Sequence, residues 1–230
     1  MNILRLGFAL CSLCLCSALV FGADKAIEGR QGMVVSVSAP ASEAGVEVLK
    51  KGGNAVDAAV ATAFALAVTY PAAGNIGGGG FMVVHPGSKA NPVVIEYRET
   101  APAAATKDMY AKDANWYSHK ASGVPGTVRG MALAHQRFGK LPWKDVVMPA
   151  VKLAELGFPI NDQLASSLNF LVSGSSEFPE LQRVFGKNLG SADWQAGDRL
   201  VQKDLAKTLR RISGRCRCLV QGADRRPDRR

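Results

Sequence analysis

Arg98 stands in the stretch IEYRETAP, two residues after Glu96 and one before Glu99. A guanidinium is planar and permanently charged, so it can offer a carboxylate two parallel hydrogen bonds that fix orientation as well as charge. The same spacing has a plainer reading, in which an arginine between two glutamates is a solvated strand residue in an ion pair. Upstream lies NIGGGGFMVVH, Asn75 to His85, four glycines running into an apolar segment. A phosphate loop has the opposite order, strand before and helix after, and ends in Gly-Lys-Ser/Thr. Flanks this apolar do not suit a linker either. Gly77 to Gly80 are therefore expected to let one backbone pass close to another backbone or to a ligand, where a side chain would clash.

Nucleophiles and bases are scarce. His85 ends an expected strand, and His135 falls in an expected helix beside Gln136; with His119 they are the only histidines, and the expectation for them is structural. Ser173-Gly174-Ser175-Ser176 reads as a loop, because it lacks the strand and the Gly-x-Ser-x-Gly spacing of a nucleophile elbow. Cys216-Arg217-Cys218 is too close and too isolated for a zinc site.

The elements that must position these residues follow from pattern. Gly32 to Ala39, GMVVSVSA, alternates and reads as a strand ended by Pro40. Ser42 is the expected cap of a helix, SEAGVEVLKKGG, with Lys50 and Lys51 in its last turn and Gly52-Gly53 as its stop. Asn54 caps a second helix, AVDAAVATAFALAVTY, closed by Pro71 and apolar almost all round, hence interior. FMVVH and Pro92 to Thr100 read as a hairpin. A turn at GVPG leads into a helix through TVRGMALAHQRFG. LPWKDVVMPAVKLAELGF reads as a helix stopped by Gly157, and residues 163–172 and 203–212 as two more. The class is mixed α/β, α+β in the strict sense, with helices over a hairpin-rich sheet.

Charge and cysteine divide the chain of 230 residues further. Arg5, the apolar run Leu6 to Val20 and the small residues Gly22 and Ala23 read as a secretory signal peptide over residues 1–22, too short for a membrane span. Of five cysteines, three fall in that segment and two near the end, so residues 23–215 hold none and the body must cohere by packing. Residues 23–213 carry 21 Lys or Arg against 17 acidic residues, whereas residues 214–230 carry six Arg, two Asp and no Lys. Most of the formal charge of +9 thus lies outside any nucleic-acid-binding face of the body, and the tail reads as an appended, non-family segment.

ASEAGVEVLKKGGNAVDAAVATAFALAV, NIGGGGFMVVH, YRETAP, SGVPGTVRG and LPWKDVVMPAVKLAELGF occur in the order found in gamma-glutamyltranspeptidases, and Gly32 to about Ser213 resembles the front of the large subunit of that family. The resemblance implies an N-terminal-nucleophile hydrolase, a four-layer αββα sandwich that is incomplete in this chain. It implies an exported precursor, periplasmic or secreted, that cuts itself into two subunits. The new N-terminal Thr then attacks the γ-glutamyl amide of glutathione and passes the glutamyl group to water, an amino acid or a peptide. No cofactor or metal is implied, because the amino group of that Thr can serve as its own base. Arg98 matches the arginine that binds the α-carboxylate of the substrate. No Thr-Thr pair occurs, so the nucleophile is expected outside this chain. Its partners would be the rest of the large subunit, the small subunit, the γ-glutamyl donor and an acceptor, with no nucleic acid and no membrane after signal cleavage. The chain alone is expected to be inactive and poorly folded. The competing readings are a non-catalytic exported carboxylate-binding relic and a cephalosporin-acylase-like branch of the superfamily.

Overall fold

The computed structural model describes residues 27–87, 90–111, 119–188 and 191–214. The expected signal peptide, the Cys216–Cys218 pair and all but the first residue of the Arg-rich tail lie outside the described residues. Residues 27–33 belong to a separate unit without helix or strand; everything below concerns the unit from Val34 onward.

Helix α1, Ala39–Lys50, begins earlier than Ser42, with Ser38 at its N-cap and Pro40 in its first turn. Pro40 does not end a strand but opens the helix, where its missing N–H costs nothing. At the other end Gly52 takes φ +87, the left-handed region glycine tolerates. The Gly52 and Gly53 amides donate back to the Leu49 and Val48 carbonyls, at 2.9 and 3.1 Å, closing the helix as expected.

Asn54 then starts α2, Ala55–Thr69, as its expected cap, and the structure adds a capping box. Its side chain accepts from the Val56 and Asp57 amides, while Asp57 accepts from the Asn54 amide. Eleven of the fifteen residues of α2 are buried, so the helix is the axle of the core. Packed against it are α1 and α4, Trp143–Leu156, and α4 in turn carries α7, Lys203–Ser213. Phe64 of α2 meets Trp143 of α4 edge to face, with centroids 5.6 Å apart at 82°. The Trp143 indole N–H donates to the Ile212 carbonyl of α7 at 2.9 Å, and Gln202 reaches the Val68 carbonyl at 2.7 Å. The Trp143 and Gln202 side chains are thus satisfied at these crossings, whereas the buried Thr62 hydroxyl, facing Gly45 of α1, has no hydrogen-bond partner among the described residues.

Strands β1, Phe81–Val84, and β2, Val93–Glu96, form the expected antiparallel hairpin, with Phe81 opposite Glu96 and Val84 opposite Val93. Alternation is kept: Val84 and Ile95 turn into the core, and Phe81, Val83 and Val94 face outward. The expected strand from Pro92 to Thr100 is shorter than its pattern, because after Tyr97 the backbone leaves the ladder for a bridge between Thr100 and Val124. Three further helices are α3, Thr127–Phe138, α5, Asp162–Ser173, and α6, Pro179–Phe185. The two-residue strands β3, Phe158–Pro159, and β4, Arg199–Leu200, pair antiparallel. Neither α6 nor this small pair is evident from periodicity, since both are too short to show one.

The expected strand over Gly32 to Ala39 does not form. From Val34 to Ser38 the side chains do alternate, with Val35 and Val37 exposed at 80% and 70%. The backbone of residues 34–37, however, makes no ladder hydrogen bond among the described residues. Alternation reports which way side chains point, but a strand exists only where a neighbour pairs with it.

Candidate functional site

Three segments far apart in sequence converge on Tyr97 and Arg98. The first is the glycine run. A Cβ on Gly79 would stand 2.5 Å from the Glu99 amide nitrogen and 2.6 Å from Arg98 Cα, so only glycine lets the two backbones meet. Gly80 continues the hairpin by accepting from the Tyr97 amide at 2.9 Å. Of the close approach expected over Gly77 to Gly80, the backbone contact is made at Gly79; Gly78 and Gly80 lie against the Asn75 and Tyr97 side chains, and Gly77 faces open space.

The second segment is the turn into α3. The Gly78 carbonyl accepts from the Gly126 and Thr127 amides, at 2.8 and 3.0 Å, and thereby satisfies two of the donors that a helix start leaves unpaired. A side chain on Gly126 would overlap the Tyr97 carbonyl, and one on Gly130 would overlap the Tyr97 ring. SGVPGTVRG thus needs its glycines for contact with the third segment, YRE. Half-buried between them, Tyr97 has its phenol pushed above the ordinary tyrosine value by loss of solvent, and its hydroxyl reaches the Phe81 carbonyl at 3.3 Å.

Around this junction opens a cleft of about 360 Å³, walled by β2's end, the Val124-Pro125-Gly126 turn and the first turns of α3. Arg98 lines it and is exposed. Its guanidinium has no hydrogen-bond or ion-pair partner among the described residues. Glu96 and Glu99 line the same cleft, yet neither forms the ion pair that the plainer reading of Arg98 supposes. Arg129, one turn into α3, brings a second guanidinium to the wall. An open cleft with an uncommitted guanidinium can seat an anionic ligand in an oriented way.

The remaining sequence candidates fall elsewhere. His135 sits near the far end of α3, about 9 Å along the axis from Arg129 at 1.5 Å rise per residue. Its Nε2 lies 2.8 Å from the Leu141 carbonyl and 3.6 Å from Asp57 Oδ1, and its ring meets Trp143 edge-on at 5.2 Å. It is a structural residue, as expected. Exposed His85 borders a second cleft, beside the start of α2. His119 begins a single 3-10 turn, and its side chain is outside the described residues. Ser175 is buried, with its hydroxyl donated to the Val172 carbonyl, so the serine loop offers no poised nucleophile there. Among the described residues no cluster of three His, Cys, Asp or Glu could hold a metal, and no helix is long and apolar enough to cross a membrane.

Residue-level reading of the sequence missed Asn75 and Thr127. Asn75 Oδ1 accepts from the Gly78 amide at 2.7 Å and from the Thr127 hydroxyl at 3.2 Å. The only sequence signal was an Asn opening the glycine run, which marks a turn without naming its partner.

The sequence profile of the gamma-glutamyltranspeptidase family matches residues 41–216. The glutathione hydrolase proenzyme of Escherichia coli strain K12 is 47% identical over 197 residues, covering 81% of this chain and 33% of that protein. Among solved structures, the Helicobacter pylori gamma-glutamyltranspeptidase superposes with a TM-score of 0.76 at 42% identity, over 82% of this chain and 56% of that one. The Pseudomonas nitroreducens enzyme complexed with L-DON gives a TM-score of 0.73 at 43% identity, with the same coverage. This chain spans about a third of the length of the curated relatives it matches.

Proposed function

Because this chain belongs to the gamma-glutamyltranspeptidase family and carries part of its N-terminal-nucleophile hydrolase fold, we propose that it contributes the carboxylate grip of a γ-glutamyl acyltransferase and glutathione hydrolase. Arg98 receives the α-carboxylate of the γ-glutamyl donor. The two parallel N–H groups of its guanidinium fix the donor's orientation, so that the γ-amide carbonyl is presented to a nucleophile. That nucleophile is the N-terminal Thr of a small subunit, outside the residues of this chain. Its hydroxyl attacks the carbonyl carbon while its own amino group takes the proton and passes it to the amine, which leaves as the C–N bond breaks and a γ-glutamyl ester on the Thr remains. Water or an amino acid then accepts the glutamyl group. The chemistry calls for no metal or organic cofactor. In this reading residues 1–22 are an export signal, residues 23–213 the large-subunit portion, and residues 214–230 a tail that is foreign to the family beyond the profile match, which runs on to residue 216. The working protein is exported, and its partners are the remainder of the large subunit and the small subunit.

The observation that carries the reading is the exposed, unpartnered Arg98 guanidinium in a cleft whose floor is built from three family motifs. Titration of the purified chain with γ-L-glutamyl-p-nitroanilide tests it. Binding weakened by Arg98→Ala, with no p-nitroaniline released above a blank, is expected. Release above the blank overturns the assignment of the nucleophile, and binding indifferent to Arg98→Ala overturns the grip.

A further inference from the structure

Arg98 reaches into its cleft without a side-chain partner among the described residues. Its only fixed end is therefore its backbone, and that backbone rests on Gly79. What holds Gly79 in place is the turn that precedes it, and that turn is closed by one side chain.

We propose that Asn75, acting with Thr127, is the positioning residue that aims Arg98 at its ligand. Asn75 Oδ1 receives both the Gly78 amide and the Thr127 hydroxyl, and its Nδ2 donates to the Ala73 carbonyl at 3.2 Å, so every polar atom of the side chain is used. The Gly78 carbonyl in turn accepts from the Gly126 amide at the N-cap of α3 and from the Thr127 amide that opens the helix. One carboxamide thus locks the glycine run to the start of α3, and the run's next residue abuts Arg98 Cα. Thr127 is buried while Asn75 is exposed, so the clasp closes at the rim of the core, where its loss loosens the loop before it disturbs the helices. This inference rests on the carboxylate reading of Arg98.

Amide hydrogen exchange and ligand titration on the full chain test it together. Asn75→Ala is expected to raise exchange at Gly78, Tyr97 and Gly126 and to weaken γ-L-glutamyl-p-nitroanilide binding by about tenfold. The thermal midpoint should hold, as should binding of the 4-aminobutyryl analogue, which lacks the α-carboxylate. Thr127→Val should follow Asn75→Ala, and Thr127→Ser, which restores the hydroxyl, should behave as the parent chain. A purely structural clasp would instead lower the midpoint and weaken both ligands alike, which overturns the proposal. So does unchanged exchange in Asn75→Ala, or donor binding kept by Asn75→Ala but lost by Arg98→Ala. Equal binding by the parent chain and Arg98→Ala, or none by either, overturns the carboxylate reading instead, and exchange alone then decides the clasp.

Discussion

Asp57 and Arg98 are both charged, both close to glycine-bearing turns, and treated in opposite ways. Asp57 is fully buried, and its two oxygens collect the Asn54, Lys140 and Leu141 amides, with His135 Nε2 nearby. One carboxylate pins the start of α2 to the turn after α3, and nothing of it is left for a ligand. Arg98 sits where three backbones crowd, yet its charged end is exposed and unclaimed. The lesson is about expenditure of hydrogen bonds: a buried charge is kept because the fold satisfies it completely, and an exposed one held on a rigid base is available.

The strongest way to break that contrast is Asp57→Ala. It should cost about 3–5 kcal/mol, because three amides lose their buried acceptor. Chemical denaturation measures it, and a loss below about 1 kcal/mol would remove Asp57 from its role. Next comes the rigidity of the base under Arg98. Gly130→Ala, which forces a methyl into the Tyr97 ring, should lower stability by about 1–3 kcal/mol. Gly77→Ala, facing open space, should stay within about 0.5 kcal/mol of the parent. Equal effects at the two glycines would mean that Tyr97 is not clamped.

Arg98→Lys sharpens the other arm. Stability should move by no more than about 0.5 kcal/mol, while binding of a γ-glutamyl ligand falls about tenfold, since an ammonium cannot give two parallel hydrogen bonds. Calorimetry of folding and of binding on the same variant separates the two quantities.

The smallest effect belongs to a charge of intermediate kind. The Lys187 ammonium, 2.6 Å away, together with the Gln195 amide holds the Asp198 carboxyl below its usual range. A depressed folded-state value means that this pair stabilises the fold above the ordinary carboxylate value, and that the contribution fades as pH falls through the lowered one. Lys187→Ala should therefore narrow the gap between thermal midpoints at neutral pH and at about pH 3. An unchanged gap would remove the pair from the acid response.

Legibility in the sequence followed the range of the interaction. The Asn54 cap could be read outright, because a cap joins residues two or three apart. The Asp57 carboxylate's bonds to Lys140 and Leu141 could not, since 83 and 84 residues intervene. Gly77 to Gly80 announced a close approach without saying to what; the answer, Arg98 and Glu99, comes from the fold. For Arg98 the local pattern pointed to an ion pair with a glutamate and the motif pointed to an open grip. The geometry leaves it unpaired among the described residues.

By itself, then, the sequence determined six of the seven described helices, the Asn54 cap, the largely apolar α2 and membership of the family, because these rest on local propensity, near-neighbour hydrogen bonds and motif identity. Tertiary structure alone decided that residues 34–37 run extended without becoming a strand. It also decided that Pro40 opens a helix, that Asn75 meets Thr127, and that Tyr97 packs against Gly126 and Gly130. Strand pairing and burial are properties of two segments at once, and no stretch of sequence carries its partner with it.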